Sequence, residues 1–176
     1  MEKLNDWTNV LFFIAPLLVL AGGFYLMVKK MFDRDSQTRL MELKIKNRRD
    51  VLALRLQAYE RMILFLERIS PNNLLIRSSS PGLSAGEFQS ILLQNIRTEY
   101  EHNVTQQIYM SIPAWASVRA AREGVIKLIN TSMNELDPNA PSIELSKKIF
   151  DTIIKMESQG VQMSIDFIKE EARQLY

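Results

Sequence analysis

The chain has 176 residues, 47% of them hydrophobic and 24% charged, with a formal net charge of +2. That is room for one ordinary domain and a little more. The absence of cysteine excludes disulfides, thiolate metal sites, a cysteine nucleophile and an acylated lipoprotein cysteine. Charge is uneven along the chain: residues 29–50 carry eight Lys/Arg against four Asp/Glu, whereas residues 51–176 carry thirteen against fourteen. A near-neutral body lacks the basic face that a nucleic-acid partner requires, so none is expected.

The first element is an apolar run. No charge occurs from Trp7 to Val28, long enough as a helix to cross a hydrocarbon core of about 30 Å. Trp7 and Tyr25 stand near its ends, where amphipathic rings favour the headgroup region, and Lys29 and Lys30 close it. Pro16, Gly22 and Gly23 are tolerated in lipid more readily than in water. A cleaved signal peptide fits less well: the start is Glu2, Lys3, Asp6 rather than basic, and Phe24 to Val28 follow the small residues that cleavage would need. Residues 1–28 are therefore expected to be a short tail and a retained transmembrane helix. Lys29, Lys30, Arg34, Arg39, Lys44, Lys46, Arg48 and Arg49 follow the run, against Lys3 before it. This bias puts the N-terminus outside and the body in the cytoplasm.

Residues 29–50 are expected to form a basic helical stalk, with Asp35/Arg39 and Glu42/Lys46 as acid-before-base pairs four apart. From Val51 the apolar pattern widens. Leu52, Leu56, Tyr59, Ile63 and Leu66 recur at four and three, beside Val51, Ala58, Met62, Phe65 and Ile69, which calls for packing against more than one helix. Ser70, Pro71, Asn72 and Asn73 stop this helix, and Leu74 to Gly82 reads as a connection. Ser84 with Glu87 fits a capping box opening a second body helix through Phe88, Ile91, Leu92, Ile96, Tyr100, Val104 and Ile108. Pro113 suits the first turn of a third, carrying Trp115, Val118, Val125, Leu128, Ile129 and Leu136. After Asp137 to Pro141 a last helix runs from Leu145 to Leu175, bent or divided at Gly160. No alternating strand pattern or fixed-period repeat occurs. The expected fold is all-α: an N-terminal transmembrane helix, a stalk, and a four-helix-bundle-like cytoplasmic domain over residues 51–176.

Chemistry is sparsely signalled. Glu99 and His102 make a Glu-x-x-His spacing of the kind used in di-iron bundles, but such a site needs two of these motifs and further carboxylates. A surface coincidence is the preferred reading. There is no Gly-x-Ser-x-Gly elbow, no phosphate-binding glycine loop, and one histidine in all. Glu60, Glu67 and Glu157 are read as solvated or ion-paired, Trp115 as core, and the basic stalk as a topology signal before a lipid site. No catalytic, cofactor-binding or metal residue is nominated, and no cofactor is expected.

The run Leu56, Gln57, Ala58, Tyr59, Glu60, Arg61, continued by Phe65, Leu66, Glu67, Arg68, Ile69, Ser70, Pro71, Asn72, Asn73 and Leu74, resembles a family of small bacterial membrane-anchored proteins without assigned function. The resemblance covers the apolar run and most of the body. It implies a bacterial inner-membrane setting and brings no catalytic residues. The expected role is a membrane-tethered interaction or scaffold module, with the bilayer as one partner and a protein or a second copy as another. The alternative is an enzyme or ligand-binding bundle, which a concave pocket of convergent polar residues would favour.

Overall fold

Helix formation by an apolar N-terminal run and an amphipathic body leads to an all-helical chain in the computed structural model. Residues 2–156 and 160–175 are described; the side chains of residues 2–13, 15, 33–40, 43, 155 and 156 lie outside that description. The elements are α1 (Glu2–Ile69), α2 (Pro71–Ser78), α3 (Ala85–Asn103), a 3-10 turn (Val104–Tyr109), α4 (Ile112–Met133), α5 (Ser142–Met156) and α6 (Gly160–Arg173). Two compact units divide the chain, Met1–Asp50 and Val51–Tyr176.

In the first unit, Leu17, Leu18, Val19, Leu20, Phe24, Leu26 and Met27 are each 64–74% exposed. Four consecutive positions, 17 to 20, point about 100° apart in an α-helix, so this segment is apolar on every side. Among the described residues no helix is long and apolar enough to cross a membrane. The transmembrane helix expected from Trp7 to Val28 is thus not shown. Of that run the description holds Ile14 and residues 16–28, a piece shorter than the roughly 20 residues that a span needs. The side chain of Trp7, expected at its outer end, lies outside the description, as do the side chains of the Asp35/Arg39 pair.

The second unit owns a continuous core. Tyr59, Met62, Phe65, Leu66 and Ile69 of α1 are buried against Phe88, Leu92 and Ile96 of α3, with Val118, Val125 and Ile129 of α4, Leu145 and Ile149 of α5, and Ile165 and Ile168 of α6 completing it. Burial of side chains this size stabilises by about 1.5–3 kcal/mol each, which is what orders the helices. Ile63, expected in the same stripe, is half-buried at its margin.

Several boundaries differ from the sequence reading. Leu74 to Gly82 contains helix α2 rather than a plain connection: Pro71 sits at its first turn, and Leu74 and Leu75 are buried. The true turn is Pro81-Gly82, where Gly82 takes φ of 81°, a left-handed value that glycine adopts without a Cβ penalty. The second body helix ends at Asn103, and residues 104–109 tighten into the 3-10 turn, which buries nothing. The last stretch, expected to be bent or divided at Gly160, comprises α5 (Ser142–Met156) and α6 (Gly160–Arg173), and residues 157–159 between them lie outside the described residues. Among the described residues the body thus adds helix α2 to the four helical stretches expected.

The capping box is formed as expected: Ser84 Oγ accepts from Glu87 N–H at 3.3 Å, and the Glu87 carboxylate accepts from Ser84 N–H at 2.9 Å. The bond from Ser84 N–H foremost, and then the one that the Ser84 hydroxyl donates to the same carboxylate at 2.9 Å, hold the Glu87 carboxyl below its usual range. The start of α3 is also strapped to the α4–α5 connection. Ala85 N–H donates to Ala140 O at 2.7 Å, Gly86 N–H to Pro138 O at 3.0 Å, and Ser142 N–H to Leu83 O at 3.1 Å. Backbone groups that neither helix could satisfy thereby find partners.

Candidate functional site

Three polar or concave features stand out in the body. The first joins three distant segments. Tyr59 of α1 donates its hydroxyl hydrogen to Glu171 of α6, the Ser111 hydroxyl donates to the other oxygen of the same carboxylate at 2.7 Å, and Ser111 N–H reaches Tyr59 Oη at 3.4 Å. Ser111 is also the N-cap of α4, its Oγ accepting from Ala114 N–H at 3.1 Å. Arg55 Nε donates to Tyr109 O at 3.2 Å beside them. Burial, and next the bond to Glu171, raise the Tyr59 pKa above the ordinary tyrosine value, against the lowering effect of Arg55 and the Ser111 amide. A hydroxyl held in its protonated, donating state is a good fastener. The arrangement is a clasp that fixes α6 and the start of α4 on α1.

A second feature is a groove of about 470 Å³ between α1 and α3, lined by Gln57, Arg61, Leu64, Arg68, Glu99 and Asn103 among others. Glu99 is the anchor of its polar end: Arg68 Nη1 lies 3.0 Å and Arg77 Nη1 2.9 Å from its carboxylate oxygens. This answers the Glu-x-x-His question directly, because Glu99 is committed to two arginines and His102 is exposed. No group of three or more His, Asp or Glu side chains able to hold a metal occurs among the described residues.

The third is a cleft of about 460 Å³ beside α4 and α6. Ala121, Val125, Leu128 and Ile165 give it an apolar floor, with Glu67 and Asn72 on its lining. Its size falls within the usual range of ligand pockets, about 300–1,000 Å³. Glu60 and Glu67 are exposed, and Glu157 lies outside the described residues.

Trp115 is half-buried and stacks on Tyr100 with centroids 5.7 Å apart. Arg122 sits over the Tyr100 ring, 4.2 Å from its centre, a cation–π arrangement. Trp115 is thus packed at the edge of the core. Neither the clasp nor the Glu99 arginine pair was found by sequence reasoning, since each draws partners more than 20 positions apart and no local spacing announces them.

The fold and these sites define a class: an all-helical protein with an apolar N-terminal helix segment and a helical body whose polar side chains fasten helices together. The chain belongs to the family of unknown function DUF7935, whose model matches residues 5–175. No curated protein and no solved structure matches it.

Proposed function

We propose that this protein is a membrane-tethered helical interaction module on the cytoplasmic face of a bacterial inner membrane. The observation that supports the reading most is the all-round apolar surface of residues 17–27, exposed on every side. Such a surface is stable only inside a bilayer or another apolar phase. The uncharged run to which it belongs begins at Trp7, and the Lys/Arg-rich residues 29–49 that follow it favour the cytoplasmic side for the body. The bacterial setting rests on the resemblance of the run around Tyr59 and Pro71.

The test is extraction. Membranes from expressing cells, washed with high salt and then at alkaline pH, should retain the full chain in the pellet, because a spanning helix is not held by screened charge. Release alongside peripheral proteins would defeat the tether. For sidedness, a reporter fused after Tyr176 should work only in the cytoplasm.

A second reading, a ligand-binding bundle, draws on the 460 Å³ cleft alone. Small apolar compounds that raise the melting temperature of the wild type and not of a Gly124→Leu variant would support it.

A further inference from the structure

Where α1 belongs to the body, its core side carries Tyr59, Met62, Phe65, Leu66 and Ile69. Its outer side carries Gln57, Arg61, Leu64 and Arg68. These recur at four, three and four residues, and at about 100° per residue they form one row. Leu64 is 54% exposed in the middle of that row, which makes one wall of the α1–α3 groove. Arg61 is exposed and unpaired among the described residues. The row is an apolar centre between two guanidiniums.

On α6, Ser164, Ile165 and Ile168 face the core, and Met163, Asp166, Phe167 and Glu170 share the outer side. Met163 is 67% and Phe167 43% exposed. Among the described residues the two carboxylates have only local partners, Gln162 to Asp166 at 3.0 Å and Arg173 to Glu170 at 3.4 Å. Exposed contacts of that kind contribute little in water and exchange readily. This row is an apolar centre beside two carboxylates, the complement of the row on α1. Even the flanks match, with Glu60 beside the first row and Lys169 and Arg173 beside the second.

From this complementarity we infer that the outer row of α1 in one copy of the chain docks on the outer row of α6 in another. The inference deepens the interaction reading by naming the surface and the partner. A single chain cannot make the contact, because α1 meets its own α6 through Tyr59, two residues and about 200° away from Arg61. The contact is made twice about a two-fold axis if both rows share one face of the body, and otherwise runs head to tail, closing a ring or building a string of copies.

The chain contains no cysteine, which permits a direct test. One tagged full-length copy carries Leu64→Cys, a second, differently tagged, carries Phe167→Cys, and the two are mixed in mild detergent and oxidised. Disulfide-linked mixed pairs are expected. Adding Arg61→Glu to the first copy should cut their yield by at least about fivefold, the effect of roughly 1 kcal/mol. Asp166→Arg or Glu170→Arg in the second copy should then restore it. Arg68 is left in place because it also holds Glu99. Absence of mixed pairs, pairs indifferent to Arg61→Glu, or linkage only between two copies that both carry Leu64→Cys would each overturn the inference. The extraction test is independent of this outcome, so failure of the contact and failure of the tether are told apart.

Discussion

Residues 17–28 and 58–69 belong to one helix, α1, and both are rich in large apolar side chains. In the later stretch these side chains are sorted: Tyr59, Met62, Phe65, Leu66 and Ile69 face a core, while Arg61, Leu64 and Arg68 stand outside. In the earlier stretch no sorting exists, and Leu17 through Leu20 are exposed together. Helix α1 thus shows two solutions to the same hydrophobic problem. Body residues bury their apolar surface within the chain, whereas Leu17 to Leu20, Phe24, Leu26 and Met27 leave theirs exposed.

The comparison breaks first, and hardest, at Leu66. Because the buried core of the described residues runs from Ala58 to Ile168, residues 51–176 expressed alone should melt cooperatively. Leu66→Asp in that fragment should abolish the transition, since an unpaired buried charge costs several kcal/mol against a total stability of about 5–15 kcal/mol. Ile63→Asp, at the half-buried margin, should only lower the melting temperature. Circular dichroism melts check both, and a Leu66→Asp fragment that melts like wild type would show that the core has been misassigned.

Charges in the earlier stretch should act on a different observable. Leu18→Arg with Leu20→Arg opposes insertion by about 2.5–3.5 kcal/mol per arginine near a bilayer centre. The full chain should lose its alkali-resistant membrane association while its body keeps its near-ultraviolet signature. Unchanged membrane association would mean that this stretch is not the tether.

A smaller effect is expected at the clasp. Tyr59→Phe removes a bond to the Glu171 carboxylate and should cost about 1–3 kcal/mol in a denaturant melt of the body. Its pH dependence carries a sign. The folded state raises the Tyr59 pKa, so the clasp's contribution is fully present below the ordinary value of about 10 and is lost as pH rises through the raised one. Wild type should show an alkaline loss of stability that the phenylalanine variant lacks.

The smallest effect lies at the start of α3. Ser84→Ala should cost about 1 kcal/mol, as removal of an N-cap does. Folding lowers the Glu87 pKa, so its contribution is present above the ordinary carboxylate value of about 4.3 and is lost as pH falls through the lowered one. The acid limb of the melting profile should therefore flatten in part in Ser84→Ala, which removes the hydroxyl bond to the carboxylate and keeps the backbone one.

What the sequence determined by itself was local. The wide apolar stripe from Ala58 to Ile69, the Ser84–Glu87 box and the proline start of α4 all follow from spacing and from backbone preferences acting within a few residues. One local preference was overridden: Leu74 to Gly82 reads as a connection, yet burial of Leu74 and Leu75 draws Pro71–Ser78 into a helix and leaves only residues 79–82 irregular. Only the tertiary structure decided the partners. Tyr59 meets Glu171 across 112 positions, and Glu99 takes Arg68 and Arg77 rather than joining His102. Such choices depend on which faces the packed helices bring together, and a one-dimensional pattern fixes the face of each helix but not the face that it meets.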